Sequence, residues 1–191
     1  MIRARDVAAA IIEMDPGVDQ MKLQKLLYYA QGWHLAWYGE PLFADVVEAW
    51  AFGPAVGDVY TAYKDCRDEP IATPSGGDPE KLGARERRAL EAVVAAYAPL
   101  TGPQLAALTH REGPWVAARE GYEHGQRSRR AMSRDLIRRY FEERSDFGAT
   151  RPEVAEPSRP AIEEVANGAP GGVAAVFEEG LGVSVSSSTT L

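Results

Sequence analysis

The chain has 191 residues, of which 45% are hydrophobic and 26% charged, enough for one ordinary domain with a real core and some length left for a tail. Its formal net charge of −7 argues against a general affinity for nucleic-acid phosphates, which needs clustered Lys and Arg. The single cysteine, Cys66, excludes an intrachain disulfide and a cysteine-closed zinc site, and fits a reducing compartment.

The N-terminal run MIRARDVAAAIIEMD is broken by Glu13 and Asp15, short of a signal peptide's apolar stretch, and no run is long enough to span a bilayer. The expected location is cytoplasmic, with no membrane partner. Residues Arg3 to Met14 read as a first helix with Val7, Ala10, Ile11 and Met14 on one stripe. Pro16 and Gly17 end it. Asp19 is placed to cap a second helix, on which Leu23, Leu26, Leu27, Ala30, Trp33 and Trp37 share a face, and Gly39 suits its left-handed end.

Asp45 to Phe52 is β-branched and aromatic and reads as a short strand or extended connection. Gly53-Pro54 breaks it, and Ala55 to Tyr63 reads as a helix carrying Val56, Val59, Tyr60 and Tyr63. A polar loop from Asp65 to Gly77 leads to a long helix, from Pro79 or Ala84 through Tyr97, with Leu90, Val93, Val94 and Tyr97 inward. Thr101 and Gln104 have capping-box spacing ahead of a short helix. Pro114 opens another short helix, Trp115 to Glu120. Ser133 caps a last helix with Leu136, Ile137, Tyr140 and Phe141 inward. The expected fold is mainly α, a multi-helix domain over 1–144 with one short β element near 45–52. The Pro-, Gly- and Ser-rich stretch 145–191 reads as a disordered tail.

Candidates for chemistry are few. His34 is a lone histidine on an aromatic helix and reads as packed. His110 and Glu112, in LTHREGPW, can be read as an acid/base pair or as part of a metal set; the alternative has the His110 ring bonding backbone in the turn before Pro114. Cys66 is flanked by Asp65 and Asp68, which disfavour a thiolate. The glycines match neither a dinucleotide fingerprint nor a phosphate loop. No catalytic, metal-binding or cofactor-binding residue is assigned, and no cofactor is expected.

Tyr28, Tyr29, Trp33, Trp37 and Tyr38 cover more than one face of a single helix. Core packing is the first reading; the remaining ring surface then needs cover, from the Trp50–Phe52 segment or from a partner. The basic run Arg127, Arg129, Arg130, Arg134, Arg138 and Arg139 is the other uneven feature. A helix carrying these would suit DNA phosphates or an acidic protein surface, but it lacks Asn or Gln at base-reading positions. DNA is therefore a partner that is not favoured.

KLQKLLYYAQGWHLAWYGEPLF, EAWAFGPAVGDVY, LTHREGPWVAARE and a closing helix ending RRYF occur in the order seen in the Panacea domain, the antitoxin SocA-like family. The resemblance runs from about Val7 to Phe141. It implies a mostly helical, non-catalytic domain whose partner is a cognate protein toxin, neutralised by direct binding or by delivery to a ClpXP-type protease. The family-like residues are Lys25, Leu26, Tyr28, Trp50, Gly53, Pro54, Tyr60, Thr109, His110, Pro114 and Trp115, most of them expected to define the fold, with Trp50 as a core ring. A DNA-binding regulator using Arg127, Arg129, Arg130 and Arg134 is the alternative, and an enzyme or metal protein centred on His110 a more distant one.

Overall fold

The computed structural model describes residues 1–146, with side chains through Arg144. The expectation for the stretch 145–191 thus falls almost wholly outside the described residues. Among these, seven α-helices and one two-stranded sheet form the mainly α fold that the sequence predicts.

Helix α1 (Ala4–Met14) is followed by α2 (Gln20–Tyr38), whose ends are set as expected. The Asp19 carboxylate accepts the Lys22 amide at 2.8 Å, and Gly39 closes the helix at φ 72°, a conformation glycine adopts without a Cβ penalty. The sequence suggests one apolar stripe on α2, yet the helix is buried all round from Leu23 through Leu35. It is the axis about which α1, α4 (Ala84–Tyr97), α5 (Gly102–Thr109) and α7 (Arg134–Asp146) pack. Burial of polar side chains on such a helix requires partners. Gln31 supplies them: its oxygen accepts the amides of Leu42 and Phe43, and its nitrogen donates to the Phe43 carbonyl.

The aromatic cluster is core. Tyr28, Tyr29 and Trp33 are fully buried. Tyr29 stacks on Tyr97 at 4.0 Å, and the Phe141 ring meets Tyr28, Tyr29 and Trp33 edge-on. The cover for the surplus ring surface therefore comes from α4 and α7, not from Trp50–Phe52. Close approach of α7 depends on Gly32, where a Cβ would sit 2.2 Å from the Phe141 ring. Leu136, expected inward, is 44% exposed; Ile137 and Phe141 carry the buried face.

Gly53-Pro54 is not a break. Strand β1 (Glu48–Trp50) pairs antiparallel with β2 (Gly53–Ala55), with Trp50 opposite Gly53 and Ala51-Phe52 at the tip. Gly53 has φ 100°, and a Cβ there would strike Thr109 Oγ1 and Lys25 Cε, so a tight turn and close backbone approach both demand glycine. Residues 130–132 run along the other edge of β1: Ala49 donates to the Arg130 carbonyl, Met132 to that of Val47, and Glu48 bridges Ala131. Helix α3 (Gly57–Tyr63) begins two residues later than predicted because Ala55 belongs to β2. A 3-10 turn at Pro79–Lys81 precedes α4, and the Thr101–Gln104 capping box opens α5. Helix α6 (Gly113–Ala118) carries Pro114 in its first turn, as expected, but ends two residues before the predicted Glu120.

Candidate functional site: an aromatic groove over a buried lysine

The β1–β2 hairpin leans on α2 and leaves a groove of about 560 Å³ between itself, the N-terminal half of α2, α3 and the segment 127–129. Its floor is Gln24 and Lys25, both buried. Trp50 and Tyr60 form a wall, their rings 4.8 Å apart and edge-to-face. Phe52, at the hairpin tip, is 70% exposed on the rim beside Arg127 and Arg129. The Arg129 guanidinium lies 5.4 Å from the centre of the Trp50 ring, whose indole N–H donates to Glu48.

Lys25 is 3% exposed and donates to the Pro54 carbonyl at 3.1 Å. Burial pushes its pKa down to about 7, because an ammonium loses hydration that one carbonyl does not replace. Beside it, the Gln24 oxygen accepts the Val56 amide at 2.7 Å, whereas its buried nitrogen has no acceptor. Gln20 is tied to the Tyr60 carbonyl. Beneath the groove, the Gln24 nitrogen thus lacks a protein acceptor and the Lys25 ammonium has the Pro54 carbonyl as its hydrogen-bond acceptor.

Most of the residues singled out from sequence meet at this corner. Lys25, Trp50, Gly53 and Tyr60 line the groove, and the buried Pro54 holds Lys25. Behind the hairpin, Trp115 donates its indole N–H to the Trp50 carbonyl, His110 stacks on Trp115 at 4.3 Å, and the fully buried Thr109 abuts Gly53. Pro114 is buried at the start of α6. Leu26 and Tyr28 instead face the core. Trp50, expected as a core ring, is half-buried and belongs to the groove wall. Sequence reasoning missed Gln24, which reads as an ordinary polar helix position, and Phe52. An aromatic immediately before the Gly53-Pro54 pair was the available signal for Phe52.

The pairing of His110 with Glu112 does not form. The Glu112 carboxylate turns into the core, where it accepts the Tyr29 hydroxyl and pairs with Arg144, both at 3.0 Å. Burial raises its pKa, against the opposing pull of the tyrosines and Arg144. His110 is held on the Trp115 ring, and its pKa is lowered first by burial and then by the charge of Lys25. Among the described residues no cluster of three or more His, Cys, Asp or Glu has metal-site spacing. His34, fully packed, bonds the Glu40 carbonyl.

The arginines do not form one stripe. Arg127 and Arg129 stand on the groove rim, ahead of the helix. Arg130 lies over Tyr122 and donates to the Glu120 carbonyl; Arg134 donates to the Ala44 carbonyl. Arg138 pairs with Glu142 one turn along α7.

These features define a helical domain with an open, aromatic, cation-rimmed groove. Residues 23–116 match the family described as Antitoxin SocA-like, Panacea domain. That segment, which holds most of α2, the hairpin and the start of α6, is similar to the Panacea domain family. The chain is also similar to Antitoxin SocA of Caulobacter vibrioides, 38% identical over 66 residues, which is 32% of this chain and 35% of that protein. The match thus spans about a third of the curated relative's length. No solved structure matches the chain significantly. Among the described residues no helix is long and apolar enough to cross a membrane.

Proposed function

We propose that this protein is a non-catalytic antitoxin that binds and neutralises a cognate protein toxin in the cytoplasm, and that the groove beneath the hairpin is where the toxin docks. The observation that carries this reading is the coincidence of two things. The segment similar to antitoxins holds the Lys25 floor, the Trp50–Tyr60 wall and the exposed Phe52. Exposed and half-buried aromatics beside arginine are the composition of energetic centres in protein interfaces. Blocking the toxin directly is the simpler mechanism; handing the bound toxin to a ClpXP-type protease is the other route. Both need only a shaped surface.

The test is co-expression. A neighbouring gene product that arrests growth alone and is harmless beside this chain supports the proposal. Loss of protection in a strain lacking ClpX and ClpP assigns the adaptor route, and unchanged protection assigns direct neutralisation. Neighbouring genes without toxicity, or toxicity that this chain never relieves, count against it.

A further inference from the structure

The groove is unusually polarised for a chain of net charge −7: it is lined by Lys25, Arg127 and Arg129 and by no Asp or Glu. Lys25 has three N–H bonds to donate and the Pro54 carbonyl as its bonded acceptor. The adjoining Gln24 nitrogen, also buried, has none. Leaving buried donors unsatisfied is costly, and a carboxylate is the acceptor that satisfies such donors with charge-assisted bonds. The Trp50, Tyr60 and Phe52 rings line the same groove and supply apolar surface.

We propose that the groove recognises an acidic, extended segment of the partner protein, seating one side-chain carboxylate on Lys25 Nζ and Gln24 Nε2. An apolar neighbour of that acid lies against Trp50 and Phe52, and flanking acids meet Arg127 and Arg129. This rests on the reading of the groove as a protein-docking surface and adds the chemistry of what docks. A nucleic acid is the poorer occupant. Phosphate recognition works through several cations spread over an exposed track, whereas Lys25 is recessed and Arg130 and Arg134 are tied to carbonyls.

The full chain is titrated with a fluorescein-labelled decapeptide alternating Glu and Leu, N-acetylated and C-amidated, and anisotropy is read. Saturable binding is expected, lost when Gln replaces Glu in the peptide. It is expected to weaken about tenfold or more in Lys25→Met and, separately, in Arg127→Gln/Arg129→Gln. The second variant alters only exposed positions and so keeps the test valid if the first fails to fold. No binding, equal binding of the Gln peptide, or undiminished binding by the arginine variant overturns the proposal. So does tighter binding of a ten-nucleotide single strand, which assigns the groove to phosphates, or concentration-dependent self-association of the chain that excess peptide does not reverse while the peptide fails to bind the associated form, which assigns the groove to a second copy. Full neutralisation of a toxin by the arginine variant and by a folded Lys25→Met removes this inference while leaving the antitoxin reading intact; failure of the parent chain to neutralise removes the reading itself.

Discussion

Lys25 concentrates the physics of the site in one residue. Its ammonium is buried with one carbonyl partner and has a pKa of about 7 in the fold. In the unfolded chain it titrates near the ordinary lysine value, about 10.4. Between those values the unfolded state binds more protons, so the stability linked to this residue rises with pH, is complete above the unfolded pKa and is lost as pH falls to about 7. Comparing denaturant unfolding of the parent with that of Lys25→Met isolates the effect, because His110, whose pKa is lowered, titrates below this window. The parent is expected to gain on the order of 2–5 kcal/mol relative to the variant between pH 7 and pH 10. A parent-minus-variant difference that stays flat with pH would show the amine to be hydrated. At a polar position of an amphipathic helix this lysine looks like a surface residue. Only the hairpin, brought over it by the left-handed Gly53, makes it buried, and that closure is a tertiary fact invisible in helical periodicity.

At the scale of elements, the contact of α2 with α7 holds the aromatic core, and Gly32 is the residue that permits it. Alanine in a helix interior normally gains up to about 1 kcal/mol over glycine. Here its methyl would overlap the Phe141 ring, and overpacking costs about 1–3 kcal/mol. Gly32→Ala is therefore expected to lower thermal stability, and adding Phe141→Leu is expected to recover part of the loss. An additive double-mutant cycle, with no coupling between the two changes, would contradict the packing described. Helix starts and stops were legible because caps act locally: Asp19, Gly39 and the Thr101–Gln104 box all stand as predicted. The hairpin was half legible. Its first strand carries β-forming residues, but its second is Gly-Pro-Ala, whose pairing depends on Lys25 and Thr109 beneath it. Leu136 was misplaced because an amphipathic count cannot tell a buried edge from an exposed one.

For the whole molecule, the family-like residues turn out to be mostly the means of fixing one groove, with His110, Trp115 and Thr109 supporting the hairpin from behind. The order of these segments was readable in sequence; the groove was not, since it is assembled from α2, the hairpin, α3 and residues 127–129. The composition break after Arg144 leads us to propose that the folded unit ends there. Deleting 147–191 is expected to leave the melting temperature within a few degrees of the parent. Ending the chain before Phe141, which removes that ring and the Glu112–Arg144 pair, is expected to abolish cooperative unfolding. A large loss on deleting 147–191 alone would extend the domain beyond the proposed boundary.

We propose that this protein acts by seating another protein in the groove beneath the hairpin. The most direct measurement is calorimetric titration of the neutralised toxin with the parent and with Trp50→Ala/Phe52→Ser. Both changes lie at the groove, so the variant is expected to fold and to bind at least about a hundredfold more weakly, the loss of two interface anchors. A folded variant that binds the toxin as tightly as the parent would show that the toxin docks elsewhere.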